Sequence, residues 1–239
     1  MKMHVTPTYI YDKLYSHFGP QHWWPMDQTY HQKHKSDPRF EVIIGAVLTQ
    51  NTAWTNVEKA IINLKKEKIL SLKKINNAHI DLLKILITPS GFFNQKAIRL
   101  KSISKFLQET YDGNLDTMFS QSVLHLREEL LNQHGVGPET ADSILLYAGN
   151  KAIFVVDAYT KRLCNRLPFQ VNSTSYDDIQ YFFQNDLRSH FDPEKIVQIY
   201  KEFHAIIVEL AKNFCLKRNP KCSICPLESI CRYDQKSLE

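Results

Sequence analysis

Apolar residues in this chain recur at intervals of three and four almost from end to end, the spacing of helices that each bury one face. Ile10, Leu14 and Phe18 step by four, and Val57, Ile61 and Leu64 by four then three. Ile196, Tyr200, Phe203, Ile207 and Leu210 alternate four and three. That last run follows Asp192-Pro193, an N-cap residue with proline at the first helical position, and predicts a helix starting there. Further helix starts are read at Asn77, at Ser122 and at Ser175, where Asp178 makes a near capping box. Only Ala152-Ile-Phe-Val-Val156 reads as extended, too short and isolated to found a sheet. The expectation is an all-α fold.

With 239 residues the chain has room for one large or two small domains around a substantial core. No apolar run approaches the roughly 20 residues of a membrane span, so no membrane partner is expected. Residues 1–7 hold no apolar leader segment, which makes a cytoplasmic, nucleoid-associated location and reduced thiols the expectation. A formal net charge of +5 permits a polyanionic partner without demanding one.

Two segments carry chemistry that packing does not explain. In the first, Gly135-Val-Gly137-Pro138 separates two apolar helical runs. The glycines allow a tight turn that approaches another surface closely, and Pro138 pre-sets the next helix. Unpaired N–H groups at a helix start suit a phosphate oxygen, although an ordinary helical hairpin would read the same way. Beyond it, Asp157 stands between the extended stretch and a new helix, where it can serve as a plain N-cap. In the second segment, Cys215-x6-Cys222-x2-Cys225-x5-Cys231 gathers four of the five cysteines near the C-terminal end. In a reducing setting such a group binds metal, either zinc or an iron–sulfur cluster, rather than forming disulfides. Cys164 lies outside the set and reads as a small buried hydrophobe.

Gly135-Val-Gly-Pro-Glu-Thr-Ala141, followed by Val155-Val-Asp157 and Arg162-Leu-Cys-Asn-Arg166, resembles the helix-hairpin-helix and Gly/Pro-rich-Asp signature of the endonuclease III superfamily of DNA glycosylases. Glu41 to Thr52 and Gly91-Phe-Phe-Asn-Gln-Lys96-Ala97 extend the likeness, which covers roughly residues 35 to 235. It implies that Asp157 is the catalytic aspartate and that Gln50 enters the DNA stack where the damaged nucleotide was. It implies that Gly135, Val136, Gly137 and Thr140 of the hairpin bind double-stranded DNA containing a damaged base. The cysteine spacing is similar to the family's cluster motif, which implies a [4Fe-4S] cofactor on Cys215, Cys222, Cys225 and Cys231. The loop between the first two ligands then presents Lys217, Arg218 and Lys221 to phosphates. The implied architecture is two helical lobes flanking a DNA-binding cleft, in a monomer. One lobe would span 37–150 with the hairpin, and the other would combine 1–36 with 151–239 and hold the cluster loop at 215–231.

Bifunctional members carry a lysine in the hairpin where this chain has Glu139, and a carboxylate cannot form an imine with the sugar. A monofunctional glycosylase is expected, without lyase activity, although Lys151 and Lys161 stand nearby in sequence. Trp23-Trp24-Pro25, Trp54 and Glu139 also resemble the 3-methyladenine DNA glycosylase III branch. That likeness implies a base pocket of Trp23, Trp24, Pro25 and Trp54 and removal of an alkylated, cationic base, which aromatic faces attract. The competing functions are a bifunctional enzyme for oxidised pyrimidines, a mismatch glycosylase for adenine, thymine or uracil, and a non-catalytic DNA-binding module.

Overall fold

The structure is a computed structural model in which residues 5–171 and 173–233 are described. They contain helices and no strand. In chain order these are α1 (Pro7–Phe18), α2 (Gln28–His34), α3 (Pro38–Leu48), α4 (Trp54–Lys66), α5 (Leu72–Asn77), α6 (Ile80–Ile87) and α7 (Phe93–Tyr111). There follow α8 (Leu115–Ser120), α9 (Val123–Leu131), α10 (Pro138–Ser143), α11 (Ala158–Arg166), α12 (Tyr176–His190) and α13 (Ile196–Asn213). Among the described residues no helix is long and apolar enough to cross a membrane.

The apolar spacing does what it foretells. Ile10 and Leu14 of α1, Val57, Ile61 and Leu64 of α4, and all five residues read on α13 are buried. Each such side chain contributes roughly 1.5–3 kcal/mol by leaving water. Ser122 and Ser175 cap α9 and α12, their hydroxyls accepting from the N–H groups of His125 and Asp178. Two starts differ. Asn77 ends α5, and α6 is instead capped by His79, whose Nδ1 accepts from Asp81 N. Asp192-Pro193 opens a turn closed by Lys195 N on Asp192 O and Ile196 N on Pro193 O, so α13 begins three residues later.

The chain divides into two compact units, one of residues 1–23 with 152–239 and one of residues 24–151. The division falls after Trp23 and not after residue 36. Polar bonds explain the difference: His31 Nε2 lies 2.9 Å from a buried Glu41 carboxylate that also accepts from Lys65 at 2.7 Å, and Asp27 pairs with Lys65 at 3.3 Å. These bonds tie α2 to α3 and α4.

In the first unit α1 packs on α12 and α13, and Thr8 donates through its N–H and its hydroxyl to Asp186. Residues 153–156 are buried and extended, with side chains taking the place of a sheet ladder. Gln184 Oε1 accepts from Phe154 N at 3.0 Å, Gln180 donates to Phe154 O at 2.6 Å, and Tyr176 Oη accepts from Val156 N at 3.3 Å. The stretch therefore enters α11 in a fixed register. In the second unit α3 is buried along its whole apolar length and packs against α4, α7 and the helix that follows the hairpin.

Candidate active site

Asp157 ends the extended stretch and is the N-cap of α11. Its Oδ1 accepts from Thr160 N at 2.7 Å and from Thr160 Oγ1 at 2.9 Å. Its Oδ2 lies 3.6 Å from His204 Nε2 of α13. Burial works to raise the carboxyl pKa, but His204 and the two Thr160 bonds outweigh it and hold the group below the ordinary aspartate value. A cap alone would use one oxygen; here the second faces a buried histidine. Trp23 belongs to the same unit, edge-on to His204 with ring centroids 6.0 Å apart.

Trp24 packs in the second unit. Its ring meets Trp54 at 5.2 Å and Tyr147 at 5.1 Å, both edge-on, and both tryptophans are half-buried. Gly45 of α3 makes room for this, since a Cβ there would stand 3.1 Å from the indole. Tyr147 comes from a π-helical turn, Ile144–Ala148, that continues α10. Pro25 is exposed.

The hairpin differs in detail from the expectation. Gly135 has φ of 75°, and a side chain there would run into Arg99 of α7. The Val136 N–H is already given to Gln133 O at 3.1 Å and its side chain is buried, so this residue offers no free donor to a phosphate. Gly137 has open space around it and caps α10. Thr140 is buried, and its hydroxyl accepts from Gln50 Nε2 at 2.9 Å. Gln50 also donates to Gly135 O at 2.9 Å and accepts from Arg99, which fixes its amide on the hairpin. Glu139 is exposed in the first turn of α10. Of the two lysines noted nearby, Lys151 donates to Gln121 O at 2.8 Å, and Lys161 follows Asp157 in α11.

The four cysteines lie after α13 on two short 3₁₀ turns, Cys222–Ile224 and Glu228–Ile230, with the intervening chain. Charge on Cys215, Cys222 and Cys231 adds to what disfavours the Cys225 thiolate. With burial as the larger cause, the Cys225 thiol is pushed up to about 11. No group of three His, Cys, Asp or Glu among the described residues is arranged to hold a single metal ion. Four cysteine sulfurs are nonetheless the kind of donor set that an iron–sulfur cluster takes. Arg166 Nη1 donates to Cys215 Sγ at 3.1 Å, and the N–H groups of Leu227 and Tyr233 face the sulfurs of Cys225 and Cys231, where they offset part of the burial that pushes both thiols up. Lys217, Arg218 and Lys221 are exposed on the intervening loop. That loop is closed by Lys221 N on Phe214 O and by Arg166 on Leu216 O. Cys164 is half-buried, and burial pushes its thiol up to about 12.

Reading the sequence misses His204, Tyr147, Gly45 and Arg99. For His204 a signal exists: it is a lone titratable residue within the apolar run Phe203 to Val208. The others are found only by proximity in space.

Comparison with known proteins adds the family. The model of the HhH-GPD superfamily base excision DNA repair protein matches residues 44–188, which include the hairpin and Asp157. A Methanocaldococcus jannaschii protein that carries the name of a DNA repair glycosylase is 47% identical over 224 residues, covering 93% of this chain and 94% of that one. Endonuclease III of Thermotoga maritima is 30% identical over 202 residues, covering 84% and 86%. Among solved structures, the H. pylori 3-methyladenine DNA glycosylase bound to 1,N6-ethenoadenine is 30% identical, with a TM-score of 0.66 over 87% of this chain and 98% of that one. A trapped endonuclease III–DNA covalent intermediate has a TM-score of 0.73 over 98% and 100% at 21% identity, a likeness of fold. The chain belongs to the HhH-GPD superfamily of base excision DNA repair proteins, as a DNA glycosylase.

Proposed function

We propose that this glycosylase removes N-alkylated purines such as 3-methyladenine from double-stranded DNA by hydrolysing the N-glycosidic bond, without a lyase step. The observation that carries the reading is the aromatic corner of Trp24, Trp54 and Tyr147 over Gly45. A base alkylated on a ring nitrogen is cationic, and aromatic faces attract it beyond dispersion. Its departure neutralises that charge, so little acid catalysis is needed. The likeness to a 3-methyladenine glycosylase at 30% identity supports the same substrate class. Trp23 and Pro25 are the other residues proposed for the base pocket.

Asp157, held as an anion, stabilises the oxocarbenium-like sugar or orients the attacking water. Gln50 fills the gap left by the extruded nucleotide, with the hairpin residues Gly135, Gly137 and Thr140 and the basic residues Lys217, Arg218 and Lys221 serving phosphates and register. Cys215, Cys222, Cys225 and Cys231 would hold a [4Fe-4S] cluster, and ligation by Cys215 and Cys222 would close the basic loop at both ends. Glu139 at the hairpin position leaves no amine there to attack the sugar. The enzyme would act as a monomer in the nucleoid.

Duplexes bearing single defined lesions test this. Alkylated purine is released, the abasic strand stays intact until alkali cuts it, and borohydride traps no protein–DNA adduct. Release of oxidised pyrimidines alone, or efficient trapping, would reject the reading. Trp54→Ala should cost roughly tenfold or more for a cationic base, from a stacking loss of about 1–3 kcal/mol, and less for a neutral one.

A further inference from the structure

We propose that His204 is a positioning residue for Asp157: its Nε2 edge faces Oδ2 and fixes the one carboxylate oxygen that Thr160 leaves for chemistry. The inference rests on the reading of Asp157 as the group that acts at the sugar.

The carboxylate is divided. Oδ1 is taken by the N–H and hydroxyl of Thr160, as in any good N-cap, and Oδ2 lies 3.6 Å from His204 Nε2. Both residues are buried, Asp157 8% and His204 5% exposed. An anion so placed is costly unless a partner compensates it. His204 cannot turn away easily, because α13 is packed on α1 and α11 and Trp23 stands edge-on to the imidazole. His204 and Thr160 are the groups that hold the Asp157 carboxyl low against its burial. Glu202, Arg162, Lys212 and Tyr11 on the elements packed here have partners of their own. Glu202 accepts from Gln21 N and Gln198, Arg162 of α11 donates to Ala211 O and lies over Tyr159, Lys212 lies over Trp23, and Tyr11 of α1 packs against Phe203. Lys201 of α13 is half-buried, its pKa lowered by burial.

Without His204, burial would lift the Asp157 pKa, and the fraction of carboxylate would fall first at acid pH. Single-turnover base release from methylated DNA is therefore measured from pH 5 to 8.5 in the full-length protein and in His204→Leu, with duplex affinity and thermal unfolding alongside. His204→Leu should lose roughly tenfold in rate at the acid end, with the loss shrinking towards pH 8, while duplex affinity stays within about twofold. His204→Gln, which keeps a donor but no charge, should fall between the two, and it is the variant read if the leucine does not fold. A rate unchanged at every pH, or a loss equal at every pH and matched by a lower unfolding temperature, would overturn the proposal. Asp157→Asn is run in parallel. If it retains the unmodified rate, the reading of Asp157 itself fails; if it is inactive while both His204 variants behave like the parent, only this inference fails.

Discussion

Gly45 sits in mid-helix, where glycine costs about 1 kcal/mol relative to alanine, yet its missing Cβ is what lets the Trp24 indole lie against α3. Gly45→Val should displace Trp24 and reduce release of alkylated base by roughly tenfold, while Asp157 and its surroundings in the other unit keep their thermal signature. Parallel assays of base release and unfolding decide it; full activity in a folded Gly45→Val protein would show that the indole position does not matter. Lys96 is 1% exposed, and its Nζ donates to Leu48 O at 2.7 Å, to Thr52 Oγ1 at 2.7 Å and to Ser90 O at 2.6 Å. Burial first, then Arg99, pushes its pKa down to about 8. Between about 8 and the ordinary lysine value of about 10.4 the unfolded chain binds more protons than the folded one, so this group's contribution to stability rises with pH there. Urea unfolding at pH 8, 9 and 10 should show the parent gaining on Lys96→Met across that window; parallel curves would refute it. At this scale legibility depended on chemistry visible in one dimension. Asp157 follows a recognisable signature and occupies a capping position, whereas Gly45 and Tyr147 matter only because Trp24, distant in sequence, comes to rest on them.

At the scale of elements, α2 is joined to α3 and α4 by the buried Glu41 carboxylate. Burial raises its pKa, but His31 and Lys65 outweigh that and hold it below the ordinary glutamate value. A lowered folded pKa means stability that is present above the unfolded value and lost as pH falls through the folded one. Glu41→Gln should cost about 3 kcal/mol near neutrality, by leaving two donors with a weaker acceptor. It should also flatten the loss of stability below about pH 4.3. Chemical unfolding from pH 3 to 7 measures both, and an unchanged acid limb would show that Glu41 does not carry this stability. The cysteine turns make the second elemental prediction. Anaerobically purified protein should contain about four irons per chain, and Cys222→Ser should lose iron and weaken duplex binding through the Lys217–Lys221 loop. Stoichiometric zinc without iron, after assembly with ample iron and sulfide, would contradict it. Helix faces were readable because burial obeys the helical period. Helix starts were less so: Asp192-Pro193 has a cap's composition, but its turn closes with i to i+3 bonds, and Asn77 lies in a lysine- and asparagine-rich junction where either neighbour could claim it.

For the molecule as a whole, the chain leaves the first unit after Trp23, builds the second through residue 151, and returns with the buried stretch that delivers Asp157 to the head of α11. The all-helical class was visible in the apolar period, because the one extended stretch finds its hydrogen bonds in Gln180, Gln184 and Tyr176 and needs no sheet. The boundary between units was not, because it depends on His31, Glu41 and Lys65 meeting from three helices. The central claim is that the carboxylate of Asp157 serves hydrolytic release of an alkylated purine. Free bases released from methylated duplex DNA by the intact protein and by Asp157→Asn, quantified by mass spectrometry with strand integrity scored before and after alkali, test it most directly. The intact protein should release 3-methyladenine, Asp157→Asn should release little or none while binding duplex as well or better, and strand breaks should appear only after alkali. Equal release by the two proteins, or breaks that form without alkali together with a borohydride-trapped adduct, would contradict it.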